Sequence, residues 1–209
     1  PYRSWCRFCA MGRGIGFQHR HAQGSSVPRI GVDYFFITTG GVKKRDELTE
    51  YPEDKDVEEG RTKGELIKCV VIRDFESKVI SAHCVPCKGS DEEDYVANLV
   101  IADVRWLGYT QMILKGDNEK ALQALLDRVV LKLKAGFENG ERVTKEEPTR
   151  YESKSNGATE IGVKLVRGLF RTLKLCLEAR IERYVPVSHA LIPWLLEHTC
   201  TILNARSRG

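Results

Sequence analysis

The sequence predicts an α/β protein, a mixed β-sheet flanked by helices. Strand-like apolar runs come first, strand and helix patterns then alternate, and two long helical stretches close the chain. The composition agrees. At 209 residues, 42% hydrophobic and 30% charged, the chain is long enough for one substantial core and too apolar for a disordered segment. Its net charge of +4 is too mild to argue for nucleic acid alone, so the placement of charge must carry that argument.

Residues 1–24 are basic and Gly-rich without periodicity, and they hold the CxxC pair Cys6 and Cys9 together with His19 and His21. The run IGVDYFFI, within 30–38, reads as a buried first strand. Residues 46–59 contain eight acids and Pro52, which predicts a solvated loop or insertion. Strands at 66–73 and 79–85 follow, joined by the turn DFESK. Apolar residues at helical spacing (Val96, Leu99, Val100, Val104, Leu107) place a helix over 92–107.

A short strand at 112–114 then ends at Lys115-Gly116-Asp117, and Leu122, Leu125, Leu126, Val129 and Val130 mark a helix over 119–133. Residues 136–157 are polar and turn-rich, with a short strand near 142–144. A long helix spans roughly 158–183 before Pro186, and a last helix spans 188–204 with Pro193 near its first turn.

Nothing resembles a signal segment, and HALIPWLLEH is broken well short of a membrane span, so no membrane partner is expected. Seven cysteines, an odd number, do not read as a disulfide framework and point to an intracellular, reducing compartment. The chain starts at Pro1 and ends abruptly, which is expected of a fragment of a longer polypeptide.

Three carboxylates stand out. Asp33 lies inside an apolar strand, where a charge is costly unless paired or bound to metal. Asp117 follows a strand, and carboxyl ends of strands are where α/β sheets place ligands. Glu160 opens a helix whose Lys164, Arg167, Arg171 and Lys174 fall on one face, with Val166, Leu169, Phe170, Leu173 and Leu177 on the other. Each has a structural alternative: a strand-edge acid facing water, a helix N-cap, and a first-turn acid favoured by the helix dipole. Three acids gathered together repel and recruit Mg²⁺ or Mn²⁺. Two such ions serve in-line phosphoryl transfer.

These segments resemble a known family. DYFF, KGDNE and SKSNGATEIGVKLVRGLFRTLK resemble the three acid motifs of the integrase core of retroviruses and long-terminal-repeat retrotransposons, which are RNase H-like DDE recombinases. Asn156-Gly157 before Glu160, with Lys164 and Arg167 four and seven positions after it, is the most specific part. Glu152, 35 positions after Asp117 against 43 for Glu160, competes for the third place, but it lacks the basic helix behind it.

The resemblance implies an RNase H-like fold over residues 25–209, preceded by a remnant of a zinc-binding region and linker at 1–24. It implies a polynucleotidyl transferase that processes DNA 3′ ends and joins them to target DNA, first with water and then with the freed 3′-hydroxyl as nucleophile. Asp33 and Asp117 would share one Mg²⁺ or Mn²⁺, and Asp33 and Glu160 the other. Asn156, Lys164, Arg167, Arg171 and Lys174 would contact DNA.

Cys6 and Cys9 resemble the second half of a His-His-Cys-Cys zinc domain, so Zn²⁺ would be held only by a longer protein; Cys84 and Cys87 permit a four-cysteine site. A homo-oligomer acting on element ends and target DNA, in the nucleus where the DNA is the host's, is the implied setting. An inactive nucleic-acid-binding remnant and an RNase H-type nuclease are the alternative functions.

Overall fold

The computed structural model describes residues 27–89, 91, 93–135, 142–146 and 157–207, together with Phe8. Six strands are present among them: β1 Arg29–Thr38, β2 Gly41–Lys43, β3 Leu66–Asp74, β4 Ile80–Val85, β5 Gln111–Lys115 and β6 Arg142–Glu146. They form one mixed sheet in the order β4-β3-β1-β5-β6, with β2 paired to β1. β1 runs antiparallel to β3 and parallel to β5, and β5 runs parallel to β6. Five α-helices are bounded within the described residues: α1 Asp54–Thr62, α2 Tyr95–Trp106, α3 Lys120–Ala135, α4 Gly157–Ile181 and α5 Leu191–Ser207. This α/β architecture is consistent with an RNase H-like fold.

Strand alternation divides the core. Val32 and Tyr34, with Val70, Ile72, Met112 and Leu114, pack under α2 and α3. Phe35 and Ile37, with Cys69, Val71 and Ala82, pack under α4 and α5, where Val166, Phe170, Ile192 and Leu196 meet them. The apolar stripes read from the sequence are those the helices bury. Gly116 in KGDNE has a packing reason: a Cβ there would lie 2.7 Å from Leu126 Cδ1 and 3.0 Å from Leu122 Cδ2.

The acid-rich segment is a largely exposed insertion, as expected, and departs from expectation only in its secondary structure. Residues 46–59 are not a loop: a 3-10 turn at Arg45–Glu47 and α1 occupy most of this stretch. Glu53 and Asp56 cap α1 reciprocally, and its first-turn acids suit the helix dipole. Val57 buries against Phe36, Leu48 and Leu66 in a small separate cluster. The α4 helix stops at Ile181, several residues before Pro186, where Glu182 adopts a left-handed backbone (φ 51°). The last helix starts at Leu191 and not at 188, so Pro193 falls within its first turn, where a missing N–H costs little.

Candidate active site

The sheet splits at Asp33. β3 lines one edge of β1 continuously over 30–38. The other edge is shared: β5 pairs with 29–31 and β2 with 36–38, leaving 32–35 without a strand partner on that side among the described residues. Asp33 lies in this gap. Gly31 is in register with Lys115, so Asp33 lies two positions past the paired stretch on β1 and Asp117 two positions past the end of β5. Carboxyl ends of strands diverging in this way form a crevice open to ligands.

Glu160 reaches the same place from the helix layer. A Cβ on Gly31 would lie 2.1 Å from Thr159 Oγ1, so only glycine lets the first turn of α4 sit directly on β1. Arg73, in register with Gly31 across the β3 pairing, donates from Nη1 to the Ala158 carbonyl at 2.5 Å and fixes that turn from the other side. Its Nε has no hydrogen-bond partner among the described residues, and burial lowers its pKa.

The electrostatics follow from burial. Only 20% of the Asp33 side chain is exposed, and desolvation pushes its carboxyl up to about 6. The Lys44 ammonium and the Tyr34 N–H, which donates to Oδ1 at 2.8 Å, oppose that rise; the charges of Asp117 and Glu119 add to it. Lys44 Nζ stands 3.7 Å from Asp33 Oδ2 and 3.5 Å from Glu160 Oε1, bridging two of the three acids. Asp117 is exposed and accepts from the Asn118 N–H at 2.7 Å. The α3 helix begins only at Lys120, so Asp117 is not its cap.

The cationic face of α4 is divided. Lys164 and Arg171 are exposed. Arg167 is gripped by both oxygens of Glu47, at 2.9 and 2.8 Å. Lys174 is tied to Glu178 at 2.5 Å and covered by the Tyr184 ring, 4.5 Å from its centroid. Asn156, Glu152, Cys6 and Cys9 lie outside the described residues. Cys84 faces Cys69 across the β3–β4 ladder with Sγ atoms 3.8 Å apart, and Cys87 is partly buried against the core.

As a donor set, Asp33, Asp117 and Glu160 offer the hard carboxylate oxygens that Mg²⁺ or Mn²⁺ takes. Among the described residues, no three His, Cys, Asp or Glu side chains are gathered closely enough to chelate an ion. The gap between Asp33 and Glu160 already holds a cation, the Lys44 ammonium, as a stand-in. The residues therefore fit a divalent ion in donor type, while in position only Asp33 and Glu160 come together, across the Lys44 ammonium. Sequence reasoning missed Lys44, Glu47 and Arg73, whose partners lie far along the chain and leave no local pattern.

No family model matches the chain, and no curated protein matches it in sequence. In structure it is similar to a chain of the simian T-cell lymphotropic virus intasome, solved by cryo-electron microscopy in complex with the PP2A regulatory subunit B56 gamma. The TM-score is 0.53 at 13% identity, over 93% of this chain and 55% of that one. The likeness is one of fold, and this chain spans about half the length of its match. Among the described residues no helix is long and apolar enough to cross a membrane.

Proposed function

We propose that this chain is the catalytic core of a retroelement integrase, trimming DNA 3′ ends and joining them to target DNA. The observation that supports the proposal is the approach of Asp33 and Glu160, from a strand and a helix, to one cation at the split in the sheet, with Asp117 two positions past the end of the neighbouring strand. Asp33, Asp117 and Glu160 would hold Mg²⁺ or Mn²⁺. Bound there, two such ions would supply Lewis-acid charge to the attacking and leaving oxygens.

The chain's own residues do the rest. Partial burial of Asp33 leaves its oxygens less hydrated than those of a surface carboxylate. Thr159 on Gly31 sets the distance of Glu160 from β1. Lys164 and Arg171 present charge to the phosphate backbone, giving salt-sensitive affinity with little sequence preference. Arg167 joins them once released from Glu47. DNA ends and target DNA are the partners, a homo-oligomer is the working form, and the host nucleus is the place of action.

The test is strand transfer of a labelled, pre-processed DNA end into plasmid with Mn²⁺, comparing the wild type with Glu160→Gln and Glu152→Gln. Joined product lost only in Glu160→Gln supports the proposal. Loss only in Glu152→Gln moves the third acid to the loop, and nicking without joining identifies a nuclease. A second reading, a nucleic-acid-binding remnant that does not cut, is favoured by the Lys44 bridge between the acids. It predicts DNA binding with no product.

A further inference from the structure

We propose that Lys44 is a built-in counter-ion of the acid cluster, holding the place between Asp33 and Glu160 that a divalent cation must take. The inference rests on reading those two acids as metal-holding. Lys44 is not a surface lysine that happens to lie nearby. β1 turns back into β2 at Gly41, whose φ of 109° suits glycine, and Thr38 Oγ1 closes the turn on the Gly41 carbonyl at 3.0 Å. Register with β1 ends at Lys43, whose ammonium turns to Glu50 at 3.1 Å. Lys44 follows, and its side chain reaches back to the acids with only 24% exposed.

Its backbone is anchored independently. Glu47 Oε2 accepts the Lys44 N–H at 3.0 Å, and the same carboxylate clasps Arg167 of α4. The β2 pairing and this clamp therefore fix Lys44 from both sides. The fold forces Asp33 and Glu160 together through Thr159 and Gly31, and the insertion between β1 and β3 supplies the charge that makes this tolerable without metal. One gap cannot hold an ammonium and a divalent ion at once. Metal entry is thus an exchange, and apparent affinity falls by the fraction of molecules in which Lys44 is in place.

The experiment is calorimetric titration of the 209-residue chain with MnCl₂ in the absence of DNA, for the wild type, Lys44→Met, Lys44→Arg and Asp33→Asn. Methionine keeps the apolar stem and removes the charge. Two partly covered ion pairs of ordinary strength imply Mn²⁺ binding roughly 3- to 30-fold tighter in Lys44→Met. Lys44→Arg should stay near the wild type, and Asp33→Asn should lose the site. Equal affinities for wild type and Lys44→Met, both lost in Asp33→Asn, overturn the counter-ion role and leave the metal reading standing. A gain in Lys44→Met that persists when Asp33→Asn is added also overturns it, because the metal would then lie elsewhere. Absence of Mn²⁺ binding in every variant overturns both.

Discussion

Replacing Asp33 by asparagine should stabilise the metal-free protein at neutral and alkaline pH. Burial raises this carboxyl from the ordinary 3.8 to about 6, a balance that already includes the help of Lys44. The folded state therefore keeps a proton that the unfolded chain releases across that window. Stability is full below 3.8 and is lost as pH rises through about 6. At about 1.4 kcal/mol per pH unit, the cost of the ionised Asp33 reaches about 3 kcal/mol above the window.

Asparagine stays neutral, keeps an acceptor for the Tyr34 N–H, and escapes that cost. Urea and thermal melts of both proteins with a chelator, from about pH 4 to about pH 8, should show curves that meet at the acid end, diverge up to about pH 6 and keep their full separation above it. A chain of this size gains roughly 6–12 °C from about 3 kcal/mol. Parallel curves, or an asparagine variant less stable at the alkaline end, would refute the idea that a desolvated Asp33 is held under tension. The same variant should abolish joining, the trade of stability against function expected at a working site.

Gly31→Ala should cost about 1–3 kcal/mol through the clash with Thr159 Oγ1, and Thr159→Ala should recover part of it in urea melts; no recovery would put the strain elsewhere. Glu47→Gln should release Arg167, tighten DNA binding and steepen its salt dependence by about one counterion, read by fluorescence anisotropy over a salt series. An unchanged slope would mean that Arg167 never meets phosphate. Phe170→Ala should cost about 3–5 kcal/mol, since its ring is buried where α4 packs onto the sheet, and denaturant midpoints would show it.

Much of the fold was legible because local chemistry and global packing agree. The IGVDYFFI run is the central strand, and the glycine of KGDNE is required where α3 closes on the end of β5. The apolar stripes of the helices are the ones buried. The three acids were legible as residues, but the approach of Asp33 and Glu160 to one Lys44 depends on Thr159 resting on Gly31, and the placement of Asp117 on the 31–115 register. The pairing of Lys174 with Glu178 is a four-residue helix contact that the sequence does display. The grip of Glu47 on Arg167 spans 120 positions and has no sequence signature.

The segment whose helix the composition did not reveal is the one that completes the charge balance around Asp33 and Glu160. Eight acids in 46–59 suggested a solvated loop or insertion, and the segment is indeed a largely exposed insertion, but it is not a loop. Here many of those acids have partners: Asp54 with Arg45, Glu58 with Lys68, Glu59 with Lys63, Glu50 with Lys43. Glu47 and Lys44 extend the same logic to the site, one neutralising a cation of α4 and the other two acids beside it. On the proposed reading, a surface that receives both divalent cations and polyanionic DNA carries two unsatisfied patches of opposite sign. One short turn containing both Lys44 and Glu47 can quiet both patches in the resting protein, and the hydrogen bond between those two residues makes it a single unit. The insertion is therefore ordered by partners supplied from β1, β3 and α4, which is why its composition alone could not reveal it.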